Sequence, residues 1–133
     1  MKCLIVENDS ISIQVLKGLI SRYVIASDIA INGQEGIDLF LQAHESNSPY
    51  DLILMDIMMP GINGLQSVLT IREKEALMNV SFMQRVKIIM ITVLDDPRTV
   101  MKALYESDAN TYLVKPIRLQ ELEDALRKLK LIV

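Results

Sequence analysis

The run Leu52-Ile53-Leu54-Met55-Asp56-Ile57-Met58-Met59-Pro60-Gly61-Ile62-Asn63-Gly64 decides how this chain is read. Four apolar residues end on a carboxylate, after which Pro60, Gly61 and Gly64 force the backbone to turn. A short continuous apolar run bounded by turn signals reads as a buried strand. Burying a charge is costly, so Asp56 is expected to emerge where that strand meets solvent. In an open parallel α/β sheet, ligands bind in the crevice at the carboxyl ends of the strands. A carboxylate at such a place is a candidate metal ligand or nucleophile. The plainer alternative is a loop Asp that only caps a turn.

Outward from this run, short apolar stretches alternate with amphipathic ones. Strands are expected at Cys3 to Val6, Tyr23 to Ile29, Leu52 to Met55, Val86 to Ile91 and Thr111 to Val114. Helical spacing links Ile13, Leu16 and Ile20, then Ile37, Phe40 and Leu41. A third helix follows the N-cap residue Asn63 and carries Leu65, Val68, Leu69 and Arg72. A fourth starts at Asp96-Pro97, with Pro at the first helical position where its missing N–H does no harm. The fifth shows Leu119, Leu122, Leu126 and Leu129, a core stripe too short to sustain a coiled coil. Strands alternating with helices imply a parallel sheet covered on both faces. Right-handed crossovers make it a doubly wound α/β sandwich, with strand order 2-1-3-4-5 as the common small version. The stretch from Glu73 to Arg85 is longer than a simple connection needs, so the third helix is extended or followed by an irregular loop.

The bulk properties agree with one domain over residues 1–133. Half the residues are apolar and 23% are charged, as in a globular fold. A net charge of −3 gives no electrostatic reason to expect nucleic-acid binding. Cys3 is the single cysteine, so it has no partner for a disulfide and reads as a core residue. His44 is also alone, and is expected on the surface. With no signal peptide and no membrane-length apolar run, the chain is expected to be cytoplasmic, with no membrane partner.

Folded this way, the chain brings four strand ends together. The first delivers Glu7-Asn8-Asp9, the third Asp56, the fourth Thr92 and the fifth Lys115-Pro116. Carboxylate and amide oxygens suit a hard cation such as Mg²⁺. A hydroxyl and an ammonium beside the same carboxylate suit the added negative charge of a phosphoryl group. The set reads as a carboxylate nucleophile that accepts phosphate while Mg²⁺ and Lys neutralise charge.

These residues resemble the receiver domains of bacterial two-component response regulators, chemotaxis-regulator-like and flavodoxin-like in fold, over essentially the full length. The matching pieces are Val6-Glu7-Asn8-Asp9, Asn32-Gly33-Gln34-Glu35, Asp56 to Pro60 with Gly64, Thr92, and Tyr112-Leu113-Val114-Lys115-Pro116. The resemblance implies a five-stranded, five-helix, three-layer sandwich. It implies Asp56 as phosphoacceptor for a histidine kinase or phosphotransfer protein, with Thr92 and Lys115 binding the phosphoryl group. Glu7, Asn8, Asp56 and the carbonyl of Met58 would surround Mg²⁺, and Lys115-Pro116 would be cis. Tyr112 would turn inward when Thr92 is drawn to the phosphoryl oxygens. A downstream protein, an attached output domain or a second subunit would then meet the surface of helix four, strand five and helix five. Val100, Leu104, Ile117 and Leu119 are its apolar members.

The chain departs from the family at a few positions. Asn8 stands where a second acidic residue is usual, which removes one negative charge from the metal site. Asp9 is expected to cap the first helix. Asp108 replaces a frequent Gly, and Asp tolerates the left-handed conformation. Val93 replaces a smaller residue after the Thr. Met58 and Leu94 flank the expected route of an attacking water and offer nothing to orient it, which implies slow self-dephosphorylation. Two other readings are open to these residues. A pseudo-receiver working without phosphate is supported only by Asn8. A dehalogenase-like phosphatase would need a second Asp where Met58 stands.

Overall fold

In a computed structural model, residues 1–59, 61, 63–93 and 97–133 are described, with part of the side chains of residues 97–103 left aside. The elements alternate as β1 (Lys2–Val6), α1 (Ser10–Ile20), β2 (Ala26–Ala30), α2 (Gly33–Glu45), β3 (Leu52–Asp56), α3 (Gly64–Leu77), β4 (Lys87–Thr92), α4 (Pro97–Ser107), β5 (Thr111–Val114) and α5 (Leu119–Lys128). A single 3₁₀ turn, Phe82–Gln84, lies between α3 and β4. All strand pairs are parallel, and the sheet order is 2-1-3-4-5.

That order explains the sequence pattern. β3 and β4, with β1 beside them, are interior strands covered on both faces, so they read as continuous apolar runs. Within each run the pleat divides the side chains. Leu4, Val6, Ile53, Met55, Ile88 and Met90 join Phe40, Val68 and Ile71 in one core under α2 and α3. Cys3, Ile5, Leu52, Leu54, Ile89 and Ile91 join Leu16, Ile20, Leu122 and Leu126 in the other, under α1 and α5. Burial pushes the Cys3 thiol up to about 12, consistent with an inert core residue.

Several expectations need correction. The second strand is Ala26–Ala30, an edge strand; Tyr23 lies in the turn before it and hydrogen-bonds Glu123. In α3 the buried face is Ser67, Val68, Ile71 and Glu75, whereas Leu69 is exposed. Val68 is buried as expected and Leu65 packs against the same core. His44 is half-buried, its ring meeting Phe40 edge-on at 4.8 Å. The expected Asp96 cap and Leu94 lie outside the described residues.

Caps were read better. Asn63 Oδ1 accepts the N–H of Gln66 at 2.9 Å, and Asp9 Oδ2 that of Ser12 at 2.8 Å. The Ser12 N–H holds the Asp9 carboxyl below the usual carboxylate range. Asp108 takes φ 61°, the left-handed conformation expected of it. No helix among the described residues is long and apolar enough to cross a membrane.

Candidate functional site

Register brings the strand ends together. Asp56 pairs with Ile91 across β3 and β4, one residue before Thr92, and Thr92 pairs with Val114, one before Lys115. Glu7 follows β1 directly and donates its N–H to the carbonyl of Ala30. Each side chain thus sits at the end of a strand or one residue past it.

Asp56 is not the surface carboxylate its strand-end position suggested. It is only 5% exposed, and Glu7 and Thr92 are buried as well. The backbone of the following turn closes over it. The N–H of Met58 donates to Asp56 Oδ1 at 3.1 Å. Gly64 fits because a Cβ there would lie 2.3 Å from the Asp56 carbonyl oxygen. Gly61 takes φ +78°, the left-handed region open to glycine.

One ammonium serves both acids. Lys115 Nζ donates to Glu7 Oε2 at 2.9 Å and lies 4.0 Å from Asp56 Oδ2. It also donates to Ser12 Oγ at 3.3 Å, a partner the sequence reading missed. Ser12 is three residues past the Asp9 cap, so the first turn of α1 faces the site, and that spacing was the available signal. The second oxygen of Glu7, Oε1, accepts the Asp9 N–H at 3.2 Å. Burial first, then the Glu7 carboxylate, push the Asp56 carboxyl up to about 6, against the pull of Lys115 and the Met58 N–H.

The remaining residues are spread around this centre. Asn8 is exposed at the rim. Met58 has its side chain in solvent and its backbone on Asp56. The Lys115–Pro116 bond is cis. Tyr112 is half-buried on β5, packed against the core under α2 and α3. Among the described residues no three His, Cys, Asp or Glu side chains cluster as a metal site. Two carboxylates, Glu7 and Asp56, converge on Lys115.

The profile of the response regulator receiver domain matches residues 3–127. The chain belongs to that family. This receiver is 33% identical over 121 residues to the transcriptional regulatory protein ResD of Bacillus subtilis, covering 91% of this chain and 44% of ResD. It therefore spans less than half of that relative. It is 29% identical to two-component response regulator 24 of Arabidopsis thaliana, covering 100% of this chain and 86% of the relative. Among solved structures, the receiver domain of the histidine kinase CKI1 from Arabidopsis thaliana, complexed with Mg²⁺ and BeF₃⁻, superposes with TM-score 0.83 at 25% identity, covering 97% and 89% of the two chains. The flavodoxin-like fold and membership of two-component signalling are thereby established.

Proposed function

We propose that this receiver accepts a phosphoryl group on Asp56 from a histidine kinase or phosphotransfer partner and uses it to switch a binding surface. The convergence of Asp56, Glu7 and Lys115 at the C-terminal edge of the sheet carries this reading. An Asp56 oxygen attacks phosphorus, the P–N bond to the donor imidazole breaks, and the electron pair leaves with nitrogen. The Met58 N–H orients the Asp56 carboxylate. Lys115, already within 4.0 Å of Asp56, stabilises the added charge. Thr92, at the end of β4, supplies a hydroxyl to a phosphoryl oxygen.

The donor set fits a hard divalent cation. Glu7 and Asp56 are close enough that Glu7 raises the proton affinity of Asp56, a repulsion that a dication relieves. Glu7, Asn8, Asp56 and the Met58 carbonyl would hold Mg²⁺, which would neutralise charge on the phosphoryl oxygens. The related CKI1 receiver was crystallised with Mg²⁺ and BeF₃⁻. The chain is a phosphoacceptor switch rather than a turnover enzyme, and a cytoplasmic setting suits its kinase partner. Residues 1–133 act as the receiver unit for a downstream protein or output domain.

The switch runs through Thr92 and Tyr112 to the face of α4, β5 and α5, which binds that target or a second subunit. Leu119 is exposed there, Leu104 and Ile117 are partly buried, and the Val100 side chain lies outside the described residues.

The test is incubation with acetyl phosphate and Mg²⁺, read by intact mass and by association state. A stable adduct that Asp56→Asn abolishes is expected. Tyr112→Ala should take up phosphate as the parent does but lose the phosphate-dependent change in association. No adduct would leave the pseudo-receiver reading, and turnover without an adduct the phosphatase reading.

A further inference from the structure

The opposite edge of the sheet carries a cleft of about 680 Å³ between the C-terminal ends of α2 and α3 and the start of β4. Arg85 and Lys87 line it. Arg85 buries its Nε with no hydrogen-bond partner. Neither cation forms an ion pair among the described residues. The one carboxylate on the described lining, Asp51, uses Oδ2 to accept the backbone N–H of Lys2 at 2.8 Å. The carbonyl of Ala43 accepts the Ser48 N–H, and that of Glu75 accepts the Val80 N–H. Beside the cations, the 3₁₀ turn presents Phe82 and Met83, 77% and 84% exposed, and Met83 lines the cleft together with exposed Met78. This is the long stretch that the sequence singled out and the phosphoacceptor site does not use.

We infer that this edge docks an acidic polypeptide segment bearing apolar side chains, whether or not Asp56 carries phosphate. Arg85 and Lys87 line the cleft with no carboxylate paired to them among the described residues, and a docked carboxylate supplies one. Large exposed apolar side chains grouped together mark an interaction surface. A small anion would answer the cations and leave Phe82 and Met83 in water, so the two features together select a polypeptide. A second copy fits poorly. In a twofold pair the same patch faces itself, setting Arg85 and Lys87 against their own counterparts. Independence from phosphate follows from position. The cleft lies at the starts of β3 and β4, and Asp56 and Thr92 at their far ends. At about 3.3 Å per residue, that separation is roughly 15–20 Å.

The test is an NMR titration of the intact chain with a twelve-residue peptide that alternates Glu with Leu or Phe. Saturable shifts confined to residues 44–51 and 77–87 are expected, with the same dissociation constant before and after acetyl phosphate treatment. Arg85→Ala with Lys87→Ala should weaken binding at least tenfold. Phe82→Ala with Met83→Ala, which removes only surface side chains, should weaken it at least fivefold in a chain that stays folded. Any of five results overturns the inference: no saturable shifts, equal affinity for the peptide with Gln in place of Glu, the same shifts from citrate alone, binding to phosphatidylglycerol vesicles instead of the peptide, or a dimer burying the same residues. The phosphoacceptor test reads the other edge of the sheet, so each can fail without the other.

Discussion

Both edges of the sheet bury a carboxylate beside a cation, and they differ in how completely the charges are satisfied. At the N-terminal edge, Glu75 is fully buried. Its Oε1 accepts Arg72 Nη1 at 2.7 Å and its Oε2 accepts the Val86 N–H at 2.8 Å. Arg72 spends its other donors on the carbonyls of Val86 and Asp108 and on Asn110 Oδ1. That Asn110 oxygen also takes the Ile88 N–H at 2.8 Å. The cluster is closed, and it ties α3 to the start of β4 and to the turn before β5. At the C-terminal edge, two carboxylates share one ammonium, and Asp56 is left with its carboxyl raised. The same ingredients give a clamp in one place and the proposed phosphoacceptor site in the other. What separates them is the ratio of carboxylates to cations and backbone donors.

The comparison is broken most severely by removing Glu75. Glu75→Ala leaves Arg72 without its carboxylate and the Val86 N–H buried without an acceptor. It should cost about 3–5 kcal/mol in urea unfolding while leaving acetyl phosphate uptake by the folded fraction unchanged. A loss below 1 kcal/mol would mean that the clamp contributes little.

The next effect concerns Asp56 without metal. Its folded pKa lies above its unfolded value, so the folded state binds the extra proton. Stability is then greatest below the unfolded value and falls as pH rises from about 4 to about 6. The full effect is at most about 3 kcal/mol. Urea unfolding in EDTA should show this fall, and Asp56→Asn should flatten it and be more stable than the parent at pH 7. A variant that keeps the parent's pH slope would place the titration elsewhere.

Asn8→Asp moves the reactive edge further from balance. The added carboxylate should tighten Mg²⁺ several-fold, because ligand charge tunes cation affinity, and should lower the stability of the metal-free chain. Equal or weaker binding in a Mg²⁺ titration would show that another group already fills that place.

The smallest change leaves the charges alone. Met58 puts an apolar side chain in solvent beside Asp56, so nothing there orients a water for attack. The acyl phosphate should decay slowly, and Met58→Asn should shorten its lifetime several-fold. Decay that is already fast, and unaltered by the substitution, would contradict this.

Much of this was legible in the sequence. Leu52 to Asp56, followed by Pro60, Gly61 and Gly64, locates the central strand and the turn after it. Alternation of strand and helix then determines a parallel sheet, because parallel strands need a covered crossover. Asn63 and Asp9 announce helix starts through chemistry that acts within three residues. The matched motifs place Glu7, Asp56, Thr92 and Lys115 at strand ends.

Other features were decided only by tertiary structure. Asp56 reads as a surface charge until the turn through Met58 and Gly64 folds back over it. Glu75 reads as one charge among several on α3, and only the arrival of Arg72, Val86 and Asn110 makes its burial tolerable. Lys115 is separated from Glu7 by most of the chain, so nothing local announces their 2.9 Å contact. Local sequence determines caps, turns and strand periods, because those depend on near neighbours. The pairing and burial of charges depend on groups distant along the chain, so they exist only once the sheet has brought those groups together.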